Sequence, residues 1–258
     1  MTQRTYKQAR RGRLLAVASG KGGVGKTWFA ITLTHALARR GRSVLLFDAD
    51  LGLANVDIQL GLMPTRDIGS VIEGHLALAD AVVKHQGGFD ILAGRSGSGS
   101  LASLSAAALE PVLAALHEIA GRYDVVVMDL GAGLDPHTRR MAAFADTLAV
   151  VATDEPTSLT DAYAVLKLHA ADHPVGDSAI VINQAQTATS GERTYTTLAR
   201  ACTAFLGRAP RLAGTIRRDD KVRDAIRRQT LMLERHPNSP AATDVERLAH
   251  ALFAPATA

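Results

Sequence analysis

Gly20-Lys21-Gly22-Gly23-Val24-Gly25-Lys26-Thr27 is the stretch that decides how this chain is read. A short apolar run, Leu14 to Ser19, leads into it. Behind it, Trp28 to Arg40 carries Phe29, Leu33, Ala36 and Leu37 at helical spacing and is closed by Gly41. Strand, glycine loop, helix is the setting in which the pattern G-x-x-x-x-G-K-[ST], matched here in full, binds phosphate. The glycines let backbone N–H groups turn inward around phosphate oxygens, and the positive end of the following helix adds its partial charge. Lys26 is then expected to reach the β- and γ-phosphates and the Thr27 hydroxyl to bind Mg²⁺.

Outward from the loop the same alternation continues. Strands are predicted at Ser43–Phe47, Phe89–Leu92, Asp124–Met128, Thr147–Ala152, Ala179–Asn183 and Arg211–Ile216, with helices between them such as Ala106–Gly121 and Ser158–Ala171. Repeated strand-then-helix predicts an α/β fold: a mostly parallel twisted sheet with helices on both faces, in three layers. No composition break or linker divides the chain, so the expectation is one domain over residues 14–258, preceded by an arm over residues 1–13. The Gly- and Ser-rich stretch Gly94 to Ser105 is expected to be a surface loop.

A loop that works on a nucleotide needs carboxylates for the metal's surroundings and a group to orient the attacking water. Asp48-Ala49-Asp50 ends the second strand, and Asp129 ends Val125-Val126-Val127-Met128, followed by Gly131-Ala132-Gly133. Neighbouring parallel strands would bring all three carboxylates to the sheet edge where ligands of open α/β sheets bind. A single Asp after a strand reads as a cap or turn residue; three beside a phosphate loop do not.

The second lysine, Lys21, makes the loop Lys-Gly-Gly-Val-Gly-Lys-Thr, which resembles the deviant form of the ParA and MinD branch of P-loop ATPases. Within that branch the chain resembles the flagellar regulators FlhG, also called FleN. The stretches that carry this are Asp48 to Asp57 (DADLGLANVD), Asp129 to Gly133 (DLGAG), Glu155 to Tyr163 (EPTSLTDAY) and Pro237 to Ala241 (PNSPA). The resemblance implies an ATPase that uses ATP and Mg²⁺, dimerises when ATP is bound, and regulates flagellar number or placement. It implies that Lys21 crosses to the partner's nucleotide, that Asp50 positions the water, that Asp48 and Asp129 lie behind the Mg²⁺, and that Asn183 reads the adenine. Lys21, Lys26 and Asp50 are then the expected catalytic residues. Without the resemblance Asn183 reads equally well as a strand-end turn residue. A positioning ATPase for another cargo (division site, chromosome or chemoreceptor array) and a nucleotide-holding scaffold with negligible turnover remain alternatives.

Composition narrows the field. Of 258 residues, 47% are hydrophobic but only 4% aromatic, which argues for an aliphatic layered core and against stacking platforms for single-stranded nucleic acid. No run reaches the roughly 18 uncharged apolar residues needed to cross a bilayer, so a cytoplasmic protein is expected, with at most transient contact at the inner membrane or cell pole. The lone Cys202 rules out an intrachain disulfide and the paired-cysteine site of metal-cluster carriers. The net charge of +4 is local: Arg4, Lys7, Arg10, Arg11 and Arg13 supply five positive charges, leaving the remainder with 24 basic and 25 acidic groups.

The thirteen residues before the first strand lack the Asp-Gln-Ala-x-x-Leu-Arg segment by which FlhG proteins stimulate the GTPase FlhF. Arg217 stands where relatives commonly place a proline beside the adenine. Arg217, Arg218, Lys221, Arg223, Arg227 and Arg228 are interleaved with Asp219, Asp220 and Asp224, which reads as a solvated face in preference to a nonspecific DNA-binding one. Val245, Leu248, Ala249, Leu252 and Phe253 fall on one helical face and read as a last core helix in preference to a membrane anchor. His169 and His173, four apart and followed by Pro174, read as a fraying helix end in preference to metal ligands.

Overall fold

A computed structural model describes residues 12–94 and 106–253. In chain order the elements are β1 (Arg13–Ser19), α1 (Lys26–Ala38), β2 (Val44–Ala49), α2 (Val56–Leu60), α3 (Ile68–Ile72), α4 (Leu78–Ala81), β3 (Val82–Lys84), β4 (Asp90–Leu92) and α5 (Ala106–Ala120). There follow β5 (Val125–Ala132), α6 (Pro136–Phe144), β6 (Thr147–Ala152), α7 (Pro156–Asp172), β7 (Asp177–Ala185), α8 (Ala188–Leu206), β8 (Arg211–Arg217), α9 (Asp220–Arg227), α10 (Met232–Arg235) and α11 (Pro240–Phe253). The strands form one eight-stranded sheet in the order β3-β4-β2-β5-β1-β6-β7-β8. Every pairing is parallel except β3 with β4 at the edge.

Alternation along the central strands divides the core. Leu14, Ala16 and Ala18 of β1 face one way, with Leu109, Leu113 and Leu116 of α5 and Ala162 and Leu166 of α7. Leu15 and Val17 face the other way, with Phe29 and Leu33 of α1 and Val245 and Leu248 of α11. Both faces are therefore covered, which is why β1, β2, β5 and β6 read as continuous apolar runs. Helix α1 is buried on every side: each residue from Trp28 to Leu37 is at most 5% exposed. A helix without a polar face belongs inside the molecule, and α1 lies between the sheet and α11, α10 and α2.

The predicted strands and helices are present, most within two residues. The sheet also contains the edge strand β3, whose three residues are too few to show a pattern. Of the basic arm, residues 1–11 lie outside the described residues. Arg13 opens β1 and is pinned there, donating to the Leu252 carbonyl at 2.9 Å and to Thr147 Oγ1 at 2.8 Å. The Gly- and Ser-rich stretch falls outside the described residues beyond Gly94. The apolar face of α11 is buried in the core, with Val245, Leu248, Ala249 and Leu252 each at most 3% exposed. No helix among the described residues is long and apolar enough to cross a membrane.

Candidate functional site

The loop between β1 and α1 turns on two glycines in the left-handed region, Gly23 with φ 81° and Gly25 with φ 88°, where a side chain would strain the backbone. Gly25 also caps α1, and a Cβ there would come within 2.4 Å of Asn183 Nδ2. Nothing lies within 4 Å of a Cβ built at Gly22 or Gly23, so there is open space beside this part of the loop. The first amides of α1 and the loop amides thus form the kind of cradle that accepts an anion at a helix start.

Lys26 folds back under this cradle, only 8% exposed, and its Nζ donates to Asp129 Oδ1 at 2.8 Å. Asp129 sits on β5 in register with Asp48 on β2, so the sheet itself sets the two carboxylates side by side. Burial raises the Asp129 carboxyl above its ordinary range; the neighbouring Lys26 ammonium and a hydrogen bond from the Thr27 hydroxyl work against the rise. Asp48 is pushed up to about 7 by burial and then by the charge of Asp129. Three backbone N–H groups hold it: Asn55 at 3.0 Å and Val56 at 2.9 Å on Oδ2, and Asp50 at 3.3 Å on Oδ1. Asp48 is therefore also the anchor of the segment that follows β2.

Asp50 begins that segment and is half-buried. Its Oδ1 accepts from Leu53 N at 2.9 Å and Gly52 N at 3.3 Å, which curls the loop around the carboxylate. A Cβ at Gly131, near the end of β5, would lie 3.4 Å from Asp50 Oδ1, so the end of β5 and the loop after β2 meet at this carboxylate. Lys21 stands at the rim. Its Nζ donates to Glu155 Oε2 at 2.6 Å and to Thr157 Oγ1 at 3.2 Å, both at the start of α7.

On the other side of Gly23 and Gly25 opens a cavity of about 270 Å³ lined by Trp28, Asn183, Gln184 and the start of α9. Asn183 is inside β7, which runs two residues past the predicted strand end. Its Nδ2 donates to the Val24 carbonyl at 2.8 Å, while its Oδ1 accepts from Gln184 N at 2.9 Å. The side chain thus steadies the loop as well as lining the cavity. Gln184 adopts φ 58°, unusual for a residue with a side chain. Arg217 does line the cavity, but its guanidinium is held away by Asp244 through bonds of 2.8 and 2.9 Å.

Residues 15–232 match the CobQ/CobB/MinD/ParA nucleotide binding domain. The chain belongs to that family. Its members of the MinD, ParA and FleN type are ATPases that use ATP with Mg²⁺. The chain is similar to the antiactivator FleN of Pseudomonas aeruginosa, 39% identical over 89% of this chain and 82% of the relative. It is similar to the flagellum site-determining protein YlxH of Helicobacter pylori, 26% identical over 92% and 80% of the two chains. Among solved structures, the cell division ATPase MinD of Pyrococcus furiosus superposes with a TM-score of 0.80 at 24% identity, covering 93% of this chain and 98% of that one.

The site of this family member fits a magnesium nucleotide. The open glycine cradle supplies N–H donors, and the Thr27 hydroxyl with the Asp48 and Asp129 carboxylates supplies hard oxygen groups suited to Mg²⁺. Among the described residues no group of three or more His, Cys, Asp or Glu side chains could hold a metal unaided. Helix α7 ends where expected, at Asp172 with His173 as its C-cap, but His169 in its last turn is packed and not frayed. It lies on the inner face of α7, 4% exposed, with neither ring nitrogen hydrogen-bonded, because its spacing from Ala162, Val165 and Leu166 turns it toward the sheet. Trp28, Gln184, Glu155 and Thr157 have no role that the residues alone reveal. The bulky indole directly after Lys-Thr was the available signal for the first, and the others depend on how distant segments meet.

Proposed function

We propose that the protein is an ATP-hydrolysing dimerisation switch that regulates flagellar number or placement. The observation that carries this is its 39% identity to FleN across 89% of the chain, joined by the likeness to a second protein named for siting the flagellum. The chemistry follows from the loop outward. Backbone amides of residues 22–27 bind the β- and γ-phosphates, and Lys26, fixed by Asp129, presents its ammonium to them. Asp50 uses one carboxylate oxygen to hold its own loop and turns the other to a water in line with the γ-phosphate. Thr27 binds Mg²⁺ with Asp48 and Asp129 behind it, and the ion when bound neutralises charge on the phosphate oxygens.

Lys21 completes the reading. At the rim and 39% exposed, it is free to leave Glu155 and reach a nucleotide held by a second copy. There it neutralises charge developing on the transferred group. ATP then closes the pair, hydrolysis opens it, and the surface offered to flagellar partners alternates. Sizing the wild type and Asp50→Ala with ADP and with ATP tests the switch: a dimer formed with ATP alone, persisting in Asp50→Ala, is expected. A protein that stays monomeric with Mg-ATP in both forms would sink the dimer, and unchanged flagellar number and position after gene deletion would sink the flagellar role.

A further inference from the structure

Trp28, the single tryptophan of the chain, follows the phosphate loop by one residue. Its side chain is 5% exposed, yet it borders the 270 Å³ cavity on the far side of Gly23 and Gly25. Opposite stand Val222 and Ile226 of α9, two aliphatic side chains that pack against the same core layer as the indole. The polar groups around this apolar pair of walls are the amides of Asn183 and Gln184 and charged side chains of both signs, among them the carboxylates of Asp219 and Asp220 and the guanidinium of Arg218. A flat aromatic wall, an aliphatic wall and a few polar groups at the edges make a slot suited to a planar heterocycle.

The indole nitrogen adds a second observation. It is buried and has no hydrogen-bond acceptor within the chain. An indole N–H only donates, and a buried donor left without a partner is costly enough that native proteins rarely keep one. No hydroxyl or carbonyl of the surrounding elements takes this role, although the same residue's carbonyl accepts from Thr32 Oγ1 at 2.8 Å. The indole therefore borders a cavity beside the phosphate loop, while its covered nitrogen carries an unspent donor.

We propose that Trp28 is a nucleoside-contacting residue: its indole forms the wall against which the base and sugar of a bound nucleotide rest, and its N–H donates to an acceptor on that ligand. The nitrogen is covered in the present conformation, so ligand entry shifts the indole or the α9 wall by a small amount. This rests on the reading of the loop as a nucleotide site and adds to it the residue that senses the nucleoside.

Two ligands separate the nucleoside from the phosphates: Mg-ADP carries both, and Mg-tripolyphosphate carries phosphates alone. Calorimetric titration of the full chain is expected to show Trp28→Phe, which keeps the ring and loses the N–H, binding ADP about tenfold more weakly. Tripolyphosphate affinity should be unchanged. Equal affinity of wild type and variant for ADP, or an equal loss for both ligands, would overturn the proposal. Should Trp28→Phe fold poorly, the unaltered protein still decides, because all tryptophan emission comes from one residue. A shift in emission on saturation with Mg-ADP is expected, and a spectrum unmoved at saturation would overturn it. Failure of the wild type to bind either ligand would instead bring down the nucleotide reading itself.

Discussion

The ammonium of Lys21 lies 2.6 Å from the Glu155 carboxylate of its own chain, with the Thr157 hydroxyl as a second acceptor 3.2 Å away. The residue that distinguishes this phosphate loop from most others is thus held by α7, on the outside of the cradle. Any use of Lys21 on a second molecule's nucleotide must first break this pair, and the pair is exposed enough for solvent to weaken it.

Glu155→Gln should therefore favour the ATP-bound dimer. An exposed ion pair contributes about 0–1 kcal/mol and each dimer releases two of them, so the gain in dimerisation constant is up to about thirtyfold. Sedimentation in Mg-ATP would measure it, with Lys21→Ala as the control that loses both dimer and turnover. Weaker dimerisation in Glu155→Gln would mean that Glu155 supports the assembled state instead of restraining the free one.

Lys26→Met should abolish nucleotide binding and also destabilise the ligand-free protein. Removing the ammonium leaves Asp129 buried with no cation, a loss of about 3–5 kcal/mol when the carboxyl stays ionised. The carboxyl escapes part of that cost by taking up a proton, which becomes harder as pH rises. Melting temperatures of wild type and variant should accordingly diverge more at pH about 8 than at pH about 5. Parallel melting curves across that range would contradict the buried pair, and normal ATP affinity in the variant would contradict the loop assignment.

Asp50→Ala should bind nucleotide normally and release phosphate about 10²–10⁴-fold more slowly, the range for loss of a group that positions or deprotonates a nucleophile. The carboxylate also ties Gly52 and Leu53, so Asp50→Asn, which can keep accepting those N–H bonds, separates the two roles. Asn should restore loop order, seen as protection from proteolysis, without restoring turnover. Turnover by the Asn variant at the wild-type rate would remove Asp50 from the chemistry.

Two buried groups titrate in opposite senses. His35 is driven down to about 4, chiefly by burial and then by the charges of Arg39 and His85, against an ordinary value of 6.5. Between those values the unfolded chain takes up a proton that the fold refuses, so stability falls as pH falls through the window, by at most about 3 kcal/mol. Asp48, raised from 3.8 to about 7, does the reverse: its contribution is complete below 3.8 and is lost as pH rises through 7. The two partly cancel in the metal-free protein. His35→Phe should reveal a stability that declines toward neutral pH, and Asp48→Asn one that climbs steeply from pH about 4 to about 6.5. Denaturant titrations across this range would read both, and two variants with the wild-type profile would rule out either shift.

How much could be read from residues alone depended on how local the determinant was. The octet at Gly20, the apolar strands and the strand-end carboxylates are local, and the sheet sets Asp48 beside Asp129 as parallel neighbours must. Asn183 shows where locality ends: its strand was legible, but the bond to Val24, 159 residues earlier, was not. Pro174 does mark the end of α7, but the burial of His169 in its last turn is decided by the helix face that meets the sheet. The pairing of Lys21 with Glu155 spans 134 residues and depends on how α7 starts, which no spacing rule supplies.

Helix α1 has no wet side, and its first turn forms one end of the phosphate cradle. Packing defects made deep in the molecule, as by Phe29→Leu or Leu33→Ala, therefore have a short path to the ligand. Substrate grip should slacken in such variants while circular dichroism still records a native fold. Selection for tight binding in this protein is at the same time selection for a rigid interior, and affinity could be tuned downward from the core without touching a single residue of the pocket.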